Sequence, residues 1–192
     1  MRGRRLAAAI VVASCGPAAP GAAAPDVVAK NVSGPEGVSL SSACTPTGPE
    51  LCFNATDDNC NGLIDEGCGV ASGVLQFVAA WGDSPADVDV TVVDPTGQKV
   101  HKGNRGASSG LQLEKSCPDD ECHHQNVENV FFDGAEPPRG RYTVEIKLVD
   151  PHGADLPVKV RFSARIGSRT YAMDLALAPG PSTEKATFGF DL

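Results

Sequence analysis

The chain has 192 residues, 41% of them apolar and 21% charged, which is enough for one mid-sized core and rules out two large domains. Its 21 glycines and 15 prolines, beside an aromatic content of only 5%, favour turns and loops over long helices. A formal charge of -8 and a pI near 4.9 argue against nucleic acid as a partner, because phosphate backbones are held by clustered Lys and Arg.

Arg2, Arg4 and Arg5 precede the apolar run Leu6 to Ser14, which matches the hydrophobic stretch of an export signal and is too short to span a bilayer. Residues 1–14 therefore read as a signal peptide. Val12, Ala13, Ser14 and Cys15 resemble a bacterial lipobox, in which the cysteine becomes the acylated mature N-terminus. Cys15 is the expected lipidation site, and a membrane the expected partner through its acyl anchor. The rival cleavage follows Ala24, but it places Pro25 after the cut, where signal peptidase tolerates proline poorly. Removing the leader takes three of 16 basic residues and no acid, leaving 13 against 24 acids, or -11. Residues 15–43, rich in Gly, Pro, Ala, Ser and Val, read as a flexible tether.

Six cysteines remain after Cys15, an even number that fits three disulfides in an oxidising compartment. Cys44, Cys52, Cys60 and Cys68 recur every eight residues in a segment too polar to bury a core of its own, so residues 44–69 read as a small stapled module. Cys117 and Cys122 close a local hydrophilic loop. Four cysteines allow three pairings, and spacing does not choose among them. Zinc is the competing use, disfavoured by the lack of CxxC spacing.

Within the module runs Asp57, Asp58, Asn59, Cys60, Asn61, Gly62, Leu63, Ile64, Asp65, Glu66. Oxygen side chains at relative positions 1, 3 and 5, glycine at 6, a main-chain carbonyl at 7, an aliphatic at 8 and a carboxylate at 9 reproduce the opening of an EF-hand-type calcium loop. Asp57, Asn59 and Asn61 can converge as the chain curls, Gly62 permits the sharp turn, the Leu63 carbonyl adds an oxygen, and Asp65 closes the shell. At position 12, where an EF-hand has its bidentate glutamate, stands Cys68; Glu66 is the substitute. The expected cofactor is a structural Ca2+. Ten acids and no Lys or Arg lie between Lys30 and Lys99, which also favours a hard cation. The alternative is a solvated Asn/Asp/Gly turn.

Taken together, PELCFNATDDNCNGLIDEGC (residues 49–68) resembles the metal-binding repeat of MopE-like bacterial surface proteins, approximately ExCDGxDNNCDGxVDEGC. The resemblance implies an extracellular metal-binding module. Asn54 and Asn61 stand where aspartates are usual, and Ala55 replaces a glycine. One namesake of that family is a copper protein; copper favours imidazole or sulfur ligands, and this segment has no histidine.

From residue 70 onward the texture becomes β-rich. Strands are expected at Val74 to Trp81, Val88 to Val93, Leu111 to Glu114, Val127 to Phe132, Tyr142 to Val149, Val158 to Ile166, Thr170 to Leu177 and Ala186 to Leu192. Tyr142, Val144, Ile146 and Leu148 alternate with Thr143, Glu145 and Lys147, as in a half-buried antiparallel strand. DPTG at Asp94 to Gly97 and RGR at Arg139 to Arg141 supply turns. The fold class is thus all-β: an antiparallel β-sandwich of about eight strands over residues 70–192, preceded by the calcium-loop module. AAWGDSPADVDVTVVDPTG (Ala79 to Gly97), VENVFF (Val127 to Phe132) and GRYTVEIKLVD (Gly140 to Asp150) resemble the β-domain of YfaP-like bacterial secreted proteins, which implies export and a sandwich without implying a reaction.

Asp87 and Asp89 share one strand face, where two carboxylates repel, so they form a second candidate metal pair, with Asn104, Glu128 or Asn129 as helpers; the alternative is a solvated edge pair. His123 and His124 follow Cys122 in an acidic loop and carry the copper alternative. No HExxH, GxSxG or Walker-type loop occurs, and His101 and His152 have no local nucleophile. The expectation is an exported, lipid-anchored or secreted, non-catalytic envelope protein with a β-sandwich for binding a protein or glycan. The alternatives are a copper-binding surface protein and an accessory domain of an envelope hydrolase or protease, the latter drawing on Asp87, Asp89, Glu128 and a histidine.

Overall fold

A computed structural model of the chain describes residues 26–36, 40–41, 44–120 and 122–192. The signal peptide and Cys15 lie outside these residues. The described residues form no helix and ten strands: β1 (Asn31–Ser33), β2 (Leu75–Gly82), β3 (Asp87–Val93), β4 (Lys99–Val100), β5 (Leu111–Ser116), β6 (Asn126–Phe132), β7 (Arg141–Asp150), β8 (Val158–Ile166), β9 (Arg169–Leu177) and β10 (Lys185–Asp191). They make two antiparallel sheets, ordered β1-β10-β7-β3-β4 and β5-β6-β2-β8-β9, packed as a sandwich. All eight strands expected from the pattern are present within two residues at each end.

The inward faces follow from alternation. Tyr142, Val144, Ile146 and Leu148 of β7 and Val158, Val160, Phe162, Ala164 and Ile166 of β8 are all buried. Aromatic pairs join the sheets: Phe162 and Phe188 stack at 4.5 Å between centroids, and Phe77 lies tilted against Phe190 at 5.6 Å. Asp94 accepts hydrogen bonds from Thr96 N (2.8 Å) and Gln98 N (3.0 Å), which closes the DPTG turn.

Strand β2 departs from alternation: Leu75 to Trp81 are all buried. A continuous apolar run of this kind marks a strand covered on both faces. The second cover is the cysteine-rich module, whose Ala55 and Ile64 are fully buried in the same apolar cluster as the sandwich. Polar links fix its position. Ser163 Oγ donates to the Ala55 carbonyl (2.5 Å), Gln76 Nε2 reaches the carbonyls of Ala71 (3.3 Å) and Ile64 (3.5 Å), and Asn129 Nδ2 donates to Ala71 O (2.8 Å). Arg165 Nη1 donates to Gly73 O.

The segment expected as a tether differs from that expectation where it is described. Strand β1 extends the first sheet through Asn31↔Asp191, Val32↔Phe190 and Ser33↔Gly189, and Ser41 bridges Ala172 at the edge of the second sheet. Val27 is buried, its carbonyl so close to Gly167 (φ 63°) that a Cβ there would stand 1.9 Å away. Backbone pairing at a sheet edge needs no side-chain period, so a polar segment can join the ladder unannounced.

Tyr142, at the start of β7, donates from its hydroxyl to Pro138 O four residues upstream (2.9 Å), in the manner of a tyrosine corner. Replacing it with phenylalanine strands that carbonyl, and urea unfolding of Tyr142→Phe is expected to show a loss of about 1 kcal/mol with an unchanged m-value.

Candidate functional site

Residues 44–69 contain no regular strand and depend on cross-links for their shape. Cys44 pairs with Cys60 and Cys52 with Cys68, each across 16 residues, so the two bridges interleave; Cys117 pairs with Cys122. Each 16-residue closure restricts the unfolded chain enough to contribute about 3 kcal/mol. The disulfides are consistent with an exported protein in an oxidising environment.

The stapled loop is buried on one side and exposed at Asn61 and Gly67. Asp57, Asp58 and Asp65 are buried, Asp65 completely, and their oxygens are taken up locally. Asp57 accepts from Asn61 N (3.0 Å) and Gly62 N (2.9 Å), drawing the chain around Gly62, whose φ is 86°. Asp65 accepts from Asn54 N (3.1 Å) and Ala55 N (3.2 Å). Burial nevertheless outweighs these donors and pushes the Asp65 carboxyl up to about 6. At Asp58 burial again opposes ionisation, but Asn54 Nδ2, Leu51 N and Thr47 Oγ1, with Arg161 nearby, hold the carboxyl below its usual range. Ala55, standing where the MopE-like pattern has glycine, takes φ 52°. The left-handed conformation costs it about 1 kcal/mol, and burial of its methyl offsets most of that at about 0.8 kcal/mol.

Three of the residues expected as ligands meet at one point. Asn59 Nδ2 and Asn61 Nδ2 both donate to Glu66 Oε1; burial opposes ionisation of Glu66, but these amides and a hydrogen bond from the Glu50 carboxyl hold it below the usual range. The amide oxygens of the same two asparagines accept from Asn61 N (3.0 Å) and Leu63 N (2.9 Å). Glu50 joins them: its carboxylate accepts from Asp65 N (2.9 Å) and Asp58 N (3.1 Å), and burial together with the charge of Glu66 pushes it up to about 7. Asp57 and Asp65, expected in the shell with Asp65 bound directly or through water, hold backbone N–H groups of the loop. Glu50 was not among the expected ligands. Its signal was present in the glutamate two residues before Cys52, which the MopE-like pattern shares.

The acidic stretch also has internal counter-charges that linear spacing hid. Arg161 and Arg165 project from β8 beneath the module, and their fields reach Asp58 and Asp57. At the second candidate pair the added positive charge is an ammonium group: Lys102 Nζ lies 3.5 Å from Asp87 Oδ2, 3.8 Å from Asp89 Oδ1 and 3.2 Å from Asp119 Oδ2. Strand β3 is paired along its length by β7 and is not a sheet edge. His123 and His124 are exposed beside Cys122, whose sulfur is committed to its disulfide. Among the described residues, no group of three or more His, Cys, Asp or Glu is arranged to hold a metal ion. In comparisons with known proteins, no family model, curated protein or solved structure matches the chain.

Glu128 is fully buried between the sheets, accepting from Ser116 Oγ (2.5 Å) and from Val90 N. Burial, reinforced by Asp89 and Asp87 on β3, pushes its carboxyl up to about 8. The native state therefore keeps a proton that the unfolded chain loses near a glutamate's ordinary value of 4.5, and stability must fall as pH rises from there towards 8. Glu128→Gln copies the protonated acid, with an oxygen for Val90 N and a donor for Ser116. Urea unfolding at pH 5 and pH 8 is expected to show a shallower fall for Glu128→Gln than for the native chain; equal falls would mean that Glu128 is ionised when buried.

Proposed function

We propose that this is an exported, non-catalytic envelope protein, anchored through an acylated Cys15 or secreted, in which a structural calcium ion organises the stapled module that covers one face of a β-sandwich binding domain. The observation that carries the reading is the crowding of Asn59, Asn61, Glu66 and Glu50 inside two interleaved disulfides. Among the described residues no lysine or arginine forms an ion pair with Glu50 or Glu66. Held together, the two carboxylates either share a proton, as the raised Glu50 carboxyl allows, or repel once both ionise, and a hard divalent ion with oxygen ligands relieves that repulsion. Turning the two asparagine amides over offers oxygens in place of N–H groups to the same point, at the cost of the bonds those oxygens accept from Asn61 N and Leu63 N. The resemblance of residues 49–68 to MopE-like repeats supports the same chemistry, and the leader-like first 14 residues with Cys15 support export and anchoring.

The ion's role in this reading is mechanical. It offsets carboxylate repulsion and fixes the loop whose far side, Ala55 and Ile64, is packed on β2. Binding to the native state alone raises stability by mass action, about 2.7 kcal/mol at a hundredfold excess over Kd.

Calcium titration by calorimetry, with thermal unfolding beside it, tests this on the purified chain and on a Glu50→Gln, Glu66→Gln variant, since Asp57 and Asp65 are needed for the fold itself. The native chain is expected to take up one equivalent and to melt at a higher temperature with calcium than with chelator, and the variant to show neither change. Equal heats from both proteins would sink the assignment.

A further inference from the structure

On the outer face of the second sheet, where the module ends, lies a cavity of about 500 Å3, within the range that holds a small organic molecule. Phe53 of the module forms one wall, and Ala80 and Trp81 of β2 and Ala176 of β9 contribute to the rest. The surface is largely apolar, with Lys159, Arg161 and Asp174 as its charged members. Arg161 Nη1 meets Asp174 Oδ1 at 3.1 Å, but the aspartate side chain is 82% exposed, so solvent screens the pair and the site keeps a net positive character in a strongly acidic chain.

The backbone around this cavity departs from regular geometry in three places. The β2–β6 register shifts between Ala80 and Gly82, leaving Trp81 in a bulge, and Gly82 follows with φ 65°. Phe53 holds φ 62°, a conformation costly for a bulky residue, and the turn that carries it wraps the Asp65 carboxylate. Bulges re-aim side chains, and strained residues persist where the surrounding structure fixes them; both gather here around one apolar hollow.

We propose that this cavity binds a small aliphatic carboxylate, its hydrocarbon body against Phe53 and Trp81 and its head group on Lys159 and Arg161. A neutral lipid would leave the Lys159 ammonium unused and Arg161 held only by the exposed Asp174. A sugar would need an open aromatic face, whereas Trp81 is 5% exposed and donates its indole N–H to Ala86 O (2.8 Å). The charged and apolar groups invoked lie outside the loop from Asp57 to Glu66, so binding does not require a metal ion there.

Trp81 is the chain's only tryptophan and a built-in reporter. Titrating the full chain with decanoate is expected to change its fluorescence saturably, with decanol binding at least about tenfold more weakly because it lacks the charge. Lys159→Gln should weaken decanoate about tenfold while leaving decanol unchanged. Ala176→Phe, at an exposed position on the cavity lining, should block both without altering the unfolding transition. No saturable change with decanoate, equal affinities for decanoate and decanol, or full binding by Ala176→Phe would each overturn the proposal. Because chelator should leave decanoate binding intact, its outcome is separable from that of the calcium titration.

Discussion

Everything in this molecule is arranged around covering strand β2 twice. One face of β2 enters the sandwich in the ordinary way, through Leu75, Phe77 and Ala79. The other presents Gln76, Val78 and Ala80, which would be a wet apolar patch if left open. The module closes it with Ala55 and Ile64 and with amide-to-carbonyl hydrogen bonds from Gln76 and Asn129, which satisfy those amide N–H groups, while Gln76 Oε1 stays buried without a partner. A segment too small and too polar to fold alone thereby borrows a core, and the sheet gains a lid.

How much of this was legible in the sequence depends on the kind of signal. The strands announced themselves, because alternation in β7 and β8 and the unbroken run in β2 are imposed by which faces are dry. Strands β1 and β4 did not, since three residues of an Asn-Val-Ser stretch and two at Lys99–Val100 are too few to show a period and are recruited by backbone pairing at an edge. The loop from Asp57 to Glu66 was visible as a pattern of oxygens and a glycine. Its division of labour was not, because whether a carboxylate faces a ligand or caps a backbone N–H depends on how the chain curls. Asp57 and Asp65 went to the backbone, and Glu50 came in from outside the pattern.

Charge was the least legible property. Read along the chain, ten acids from Glu36 to Asp94 stand without a base. In three dimensions Lys102 meets Asp87, Asp89 and Asp119, and two β8 arginines lie beneath Asp57 and Asp58. Among the described residues, Glu50, Glu66 and the enclosed Glu128 form no ion pair with a lysine or arginine, although the field of Arg105 reaches Glu128. A buried acid such as Glu128 marks where proton uptake is coupled to folding.

The stitching at residues 26–41 also sets a load path. Tension entering from the N-terminal side at residue 26 meets the buried Val27, then the β1–β10 ladder, then the Ser41 bridge on β9, before it reaches Cys44. The sheet edges carry the strain first, and the disulfide-bound loop behind them is mechanically shielded.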